Sequence, residues 1–145
     1  MNLIRSLALH LVGIPYKYGG RSPNEGLDCS ELVQLLLRAG GADPMGDQTA
    51  QDLYNYFSQP ANRIGDKAQL GSLIFYASGK DPKRVYHVAF CLDNKRHIEA
   101  AGGDSHTLTT EIANAKRAFV KITPIRFDSK DFLDCVLPYY PAAQE

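Results

Sequence analysis

The apolar residues of this chain change period once. Up to about residue 58 they recur at helical spacing, and after about residue 68 they alternate. Residues 2–12 place Leu3, Ile4, Leu7, Leu11 and Val12 on a helical repeat that Gly13 ends and Pro15 cannot continue. A second helix opens at Asp28 and carries Leu32, Val33, Leu35, Leu36 and Leu37, so almost no polar side remains before Gly40-Gly41. Thr49 then caps a third helix through Ser58, with Leu53, Tyr56 and Phe57 on one side. Strands are predicted at 71–77, 85–92, 96–100, 118–127 and 132–137, with Asp93-Asn94-Lys95 as a hairpin turn. Helices first and strands afterwards predict an α+β architecture, with N-terminal helices packed on an antiparallel sheet. Length and the lack of any linker or repeat predict a single domain over 1–145.

Sixteen basic and sixteen acidic residues balance, which gives no electrostatic reason to expect a nucleic-acid or anionic-membrane partner. No run of about 18 apolar residues occurs, so no membrane span is expected. The first thirteen residues lack a basic leader segment and a small-x-small cleavage site, and Arg5 and His10 interrupt the apolar run. They read as an amphipathic helix of the mature domain rather than a signal peptide. Cys29, Cys91 and Cys135 are odd in number and include no Cys-x-x-Cys pair. Free thiols are therefore expected, as in a chain made in a reducing cytosol, and neither a disulfide framework nor a metal site.

The stretch Gly26-Leu27-Asp28-Cys29-Ser30-Glu31-Leu32-Val33 carries the most chemical information. Asp28 can cap the helix, and Glu31 at the third position can complete a capping box. Cys29 then sits in the first helical turn, where the macrodipole favours a thiolate, the nucleophilic form. A cysteine nucleophile needs a base, and the base needs an orienting group. Among the four histidines, His10 reads as a surface residue of the first helix and His106 as a solvated loop residue. His87 opens the strand His87-Val88-Ala89-Phe90-Cys91-Leu92, on the face opposite Val88, Phe90 and Leu92, beside the small Ala89. On the next strand His97 and Glu99 share one face, roughly 7 Å apart, and either could orient the His87 ring.

Four blocks occur in order: Gly13-Ile14-Pro15-Tyr16-Lys17-Tyr18-Gly19-Gly20, Gly26-Leu27-Asp28-Cys29-Ser30, Gly71-Ser72-Leu73-Ile74-Phe75-Tyr76 and His87-Val88-Ala89-Phe90. Together they closely resemble the NlpC-type, papain-like cysteine peptidases of bacterial cell-wall metabolism, over about residues 3–125. The resemblance implies Cys29 as nucleophile and His87 as general base. It implies Tyr16 as the tyrosine beside the nucleophile, and Asp28 and Ser30 as recognition residues for a free α-amino group. The family's third polar residue, usually His and sometimes Asn or Gln, falls about twelve positions after the base; here that position is Glu99, with His97 as the nearby alternative. Two further departures are Glu31, where a small residue is common, and Ser72, where Asp is common.

The activity so implied is hydrolysis of an amide in peptidoglycan stem peptides, by preference the γ-D-glutamyl–diamino-acid bond, without metal or cofactor. A cysteine amidase cutting the sugar-to-peptide link, and a catalytically silent binding or structural module of a phage tail, remain open alternatives. With no signal peptide expected, the resemblance fits a phage tail or lysis protein, or an effector carried by another secretion system.

Overall fold

A computed structural model describes residues 1–143. The helices are α1 (Asn2–His10), α2 (Cys29–Ala39), α3 (Ala50–Phe57) and α4 (Thr110–Lys116). A two-residue ribbon pairs β1 (Arg21–Ser22) with β2 (Gly26–Leu27). The main sheet is built from β3 (Leu73–Ala77), β4 (Val85–Cys91), β5 (Arg96–Ala101), β6 (Phe119–Pro124) and β7 (Phe132–Val136). Its order is β6-β5-β4-β3-β7, antiparallel throughout. The helices-then-strands reading of the sequence is thus the fold, an α+β domain.

The amphipathic stripes are narrower than the sequence reading allowed. On α1 the buried positions are Ile4 and Ala8, with Leu11 just beyond the helix, while Leu3 and Val12 lie exposed to either side. Steps of four and three residues keep 4, 8 and 11 within a few tens of degrees; residues 3 and 12 fall outside that sector. On α3 the same rule selects Ala50, Leu53, Tyr54 and Phe57, so Tyr54 rather than Tyr56 faces the core. Helix α4 was not expected at all. It buries only Ala113 and is set by its Thr109 cap, so it leaves little apolar period to read.

Helix α2 is the spine. Leu32, Val33, Leu36 and Leu37 are fully buried, and the helix packs on β4 and β5 with α1 at its flank. Its one buried amide is satisfied by the following loop: Gln34 Nε2 donates to Asp43 Oδ1 at 2.8 Å and to Gly46 O at 2.9 Å, and Gln34 Oε1 accepts from Gln48 N at 2.9 Å. The sheet is covered on both faces. Leu73, Phe75, Val88, Phe90 and Ile98 meet the helices, while Ile74, Tyr76, Cys91 and Cys135 form a second apolar cluster with Ala68 and Ile125 on the far side. Ser72 is buried at the foot of β3, where its hydroxyl donates to Gln69 O (2.8 Å) and accepts from Gln69 N (3.1 Å). That closed turn gives the position a structural role.

Candidate active site

Asp28 fixes the start of α2. Its Oδ1 accepts from Glu31 N at 2.9 Å and from the Ser30 hydroxyl at 3.0 Å, and its Oδ2 accepts from Gly19 N at 3.0 Å. One carboxylate therefore caps the helix and ties down the preceding loop. The cap is not the reciprocal box expected from Glu31. The Glu31 side chain is buried and turns instead towards Asp47 and Arg21, whose Nε lies 3.8 Å away. Burial, with the adjacent Asp47 carboxyl, pushes the Glu31 carboxyl up to about 7.

Cys29 is the first residue of α2 and is buried. It stands between two cavities that share Tyr16, Cys29 and Tyr86 as walls. One, of about 280 Å³, is lined by Tyr18, Asp28, Ser30 and Asp47; the other, of about 250 Å³, by His87, Glu99, Gly103 and Arg126. Tyr16 hangs from a loop whose Tyr16 N donates to Ala118 O at 3.0 Å. Its ring packs flat against Gly103, where a Cβ would come within 2.2 Å of a ring carbon. Burial, then the nearby charges of Cys29, Asp28 and Asp104, raise its hydroxyl far above the ordinary tyrosine value, so it stays a donor.

Strand β4 brings His87 to the thiol. His87 pairs with Tyr76, but Val85 already pairs with Ala77, so Tyr86 is an extra residue in the strand. A bulge of this kind re-aims neighbouring side chains. It leaves the Tyr86 ring over the cleft with its hydroxyl donating to Asp131 at 2.7 Å. On β5, Glu99 Oε1 lies 2.6 Å from His87 Nε2, which leaves Nδ1 for Cys29. Burial works against a charged His87 ring, but its hydrogen bonds with Cys29 and Glu99 outweigh it and push the imidazole up to about 9.

His97 does not share this task. Its Nε2 bonds the Tyr76 hydroxyl at 2.8 Å and its Nδ1 the Thr123 hydroxyl at 3.0 Å. Burial lowers it to about 4, so it is neutral. Among the other histidines, His10 bonds Ser6 O on the exposed face of α1, and His106 is exposed. The structure thus gathers Tyr16, Asp28, Cys29, Ser30, His87 and Glu99 around two adjoining cavities that share Tyr16 and Cys29. Sequence reasoning missed Arg126, which forks onto Glu99 with N–H donors 2.9 and 3.0 Å from its two oxygens. The segment after β6 read as more strand, and a basic residue at its end carried no signal. Tyr86 and Asp47 were likewise missed, because a bulge and a loop approach leave no pattern in the chain.

A helix-borne cysteine facing a strand histidine that is backed by a polar third side chain, within this α+β frame, defines a papain-like domain. The chain belongs to the NlpC/P60 family, whose sequence pattern matches residues 13–122. It is similar to the bifunctional muramidase/DL-endopeptidase CwlT of Bacillus subtilis (strain 168), at 35% identity over 91 residues, 61% of this chain and 26% of that protein. This chain therefore spans about a quarter of that relative. The NlpC/p60 domain of the peptidoglycan hydrolase SagA superposes with a TM-score of 0.63 at 25% identity, covering 92% of this chain and 94% of that one. An NlpC/P60 family protein from Bacillus cereus ATCC 10987 shares the fold with a TM-score of 0.69 at 19% identity, over 95% of this chain and 39% of that one. Among the described residues no helix is long and apolar enough to cross a membrane.

Proposed function

We propose that this domain is a cysteine peptidase that hydrolyses an amide bond in peptidoglycan stem peptides. Cys29 is the nucleophile, His87 the general base and then acid, and Glu99 the group that orients His87. The observation that carries the reading is the His87 ring held between the Cys29 thiol and the Glu99 carboxylate, with Nε2 and Oε1 2.6 Å apart. The Cys29 sulfur attacks the carbonyl carbon, and the resulting oxyanion is met by the Cys29 backbone N–H at the helix start, with the Tyr16 hydroxyl as a second donor. His87, favoured in its charged form, gives its proton to the leaving amine, and the thioester forms as the C–N bond breaks. Neutral His87 then takes a proton from water, which attacks the thioester and frees the Cys29 sulfur.

The cavity holding Asp28, Ser30 and Asp47 is acidic and suits an ammonium group on the acyl side of the cut. Asp28 arrives there pre-oriented by three internal hydrogen bonds. This supports a substrate with a free α-amino group near the scissile bond, and the γ-D-glutamyl–diamino-acid linkage as that bond. The DL-endopeptidase in the name of the similar Bacillus protein agrees with this choice.

The test is incubation of the protein and its Cys29→Ala variant with purified peptidoglycan, followed by mass spectrometry of released fragments and new amino termini. New diamino-acid amino termini that depend on Cys29 are expected. Release of intact stem peptides from the sugar would assign an amidase instead, and no cleavage across wall types would remove the hydrolase reading.

A further inference from the structure

The hydrogen bonds around Glu99 form a closed ring whose two arms both start at Arg126 and end on the Glu99 carboxylate. The Thr123 hydroxyl donates to Glu99 Oε2, which spends its one proton. The His97 Nδ1–H must then be the donor to Thr123, and His97 Nε2 accepts from the Tyr76 hydroxyl. The Tyr76 oxygen in turn accepts from the Arg126 backbone N–H at 3.2 Å. The Arg126 guanidinium closes the circuit on both Glu99 oxygens and lies 4.6 Å from the centre of the Tyr76 ring. One further bond joins the ring, donated by His87 Nε2 to Glu99 Oε1.

We propose that Arg126 is a positioning residue for the His87–Glu99 pair, locking the carboxylate against His87 Nε2 and balancing its charge so that a glutamate can serve where a neutral side chain would otherwise stand. A buried carboxylate beside an imidazole favours the imidazolium, so the ring gives up its proton less readily in each cycle. A guanidinium forked onto the same oxygens offsets that effect and fixes the plane of the carboxylate. Glu99 sits well below the usual carboxylate range because the bonds from His87 and Arg126 outweigh its burial, so the unit next to His87 is an ion pair rather than a bare charge. The titratable or charged groups around His87 are Cys29 and Asp28 from α2 and its cap, Tyr16 from the preceding loop, Tyr76 from β3, Tyr86 beside it, His97 and Glu99 from β5, and Arg126. Among them Arg126 is the cation hydrogen-bonded to Glu99.

The proposal rests on the Cys29–His87 hydrolase reading for its kinetic consequence but not for its electrostatic one. The experiment compares Arg126→Gln, Glu99→Gln and the double variant, measuring the alkaline limb of kcat/KM on peptidoglycan fragments and the His87 titration by NMR. Arg126→Gln should move both upward by about one pH unit, because Glu99 is left unbalanced. Glu99→Gln should move both downward, because Arg126 is left facing His87 without its anion. The double variant should fall between them, close to the unmodified protein. Arg126→Lys, which keeps the charge and loses the fork, should hold the limb in place while lowering kcat. A uniform loss of rate in Arg126→Gln with no displacement of either titration would overturn the assignment and leave Arg126 a structural residue. The NMR titration needs no turnover, so an inactive protein would remove the hydrolase reading while the shifts of His87 still decide the role of Arg126.

Discussion

His87 Nε2 and Glu99 Oε1 lie 2.6 Å apart on neighbouring strands, twelve positions apart in sequence. The carboxylate fixes which ring nitrogen is left for Cys29. Replacing Glu99 by Ala should therefore lower kcat by about 10²–10⁴-fold with a much smaller change in KM, as loss of an orienting group does in related triads. Steady-state kinetics on a stem-peptide substrate checks this. An equal rise in KM with kcat preserved would place Glu99 in substrate binding instead.

His87 also links the site to stability. Its folded value is raised from 6.5 to about 9, so its contribution is complete below pH 6.5 and disappears as the pH rises through 9. His87→Gln should be less stable than the unmodified protein near pH 6, by an amount on the order of 2–3 kcal/mol, and the gap should close towards pH 10. Urea melts across that range measure it, and a gap independent of pH would contradict the ion pair.

Glu31 has the opposite effect. An acid raised from 4.5 to about 7 costs stability as the pH climbs through that interval, because the folded state holds the proton more tightly than the unfolded one. Glu31→Gln removes the ionisation, so it should match the unmodified protein near pH 4 and exceed it at pH 8 by roughly 1–3 kcal/mol. Thermal melts at the two pH values decide the matter.

The Tyr16 hydroxyl remains protonated through alkaline pH and faces the cleft beside Cys29. Tyr16→Phe should keep the fold and lower kcat by about ten- to a hundredfold, the range for one partial oxyanion donor. Gly103→Ala tests the same ring from behind. Its new methyl would overlap the Tyr16 ring, so it should cost about 1–3 kcal/mol in a melt and lower activity at least as much as Tyr16→Phe.

The architecture was legible because its signals are local. Helical spacing gave way to alternation at one place, and Asp28 and Thr49 mark helix starts by side-chain chemistry that a chain carries openly. Strand alternation put His97 and Glu99 on one face and left either to orient His87; the spacing of the family resemblance pointed to Glu99. What stayed hidden depends on contacts between distant segments. Arg126 meets Glu99 twenty-seven positions away, and nothing near Arg126 in sequence announces a buried carboxylate. Glu31 looked like the second half of a capping box, and its actual neighbour Asp47 arrives on a loop that Gln34 pulls in. Tyr54 rather than Tyr56 completes the Ala50, Leu53, Phe57 stripe on α3, two positions and about 200° round the helix from Tyr56.

The partition of Cys29 and His87 between the helical and the sheet halves bears on when the site comes into being. Cys29 leaves the ribosome with α2, fifty-eight residues before its partner, and β4 cannot complete its pairings until β5 follows. Contacts this far apart along the chain form late in folding, after the entropy of closing the intervening loop has been overcome. Until then the chain carries a cysteine with no base beside it. The hydrolytic capacity proposed for this pair would therefore arrive with the closing of the whole domain, and a partly made or partly unfolded chain would be latent by construction.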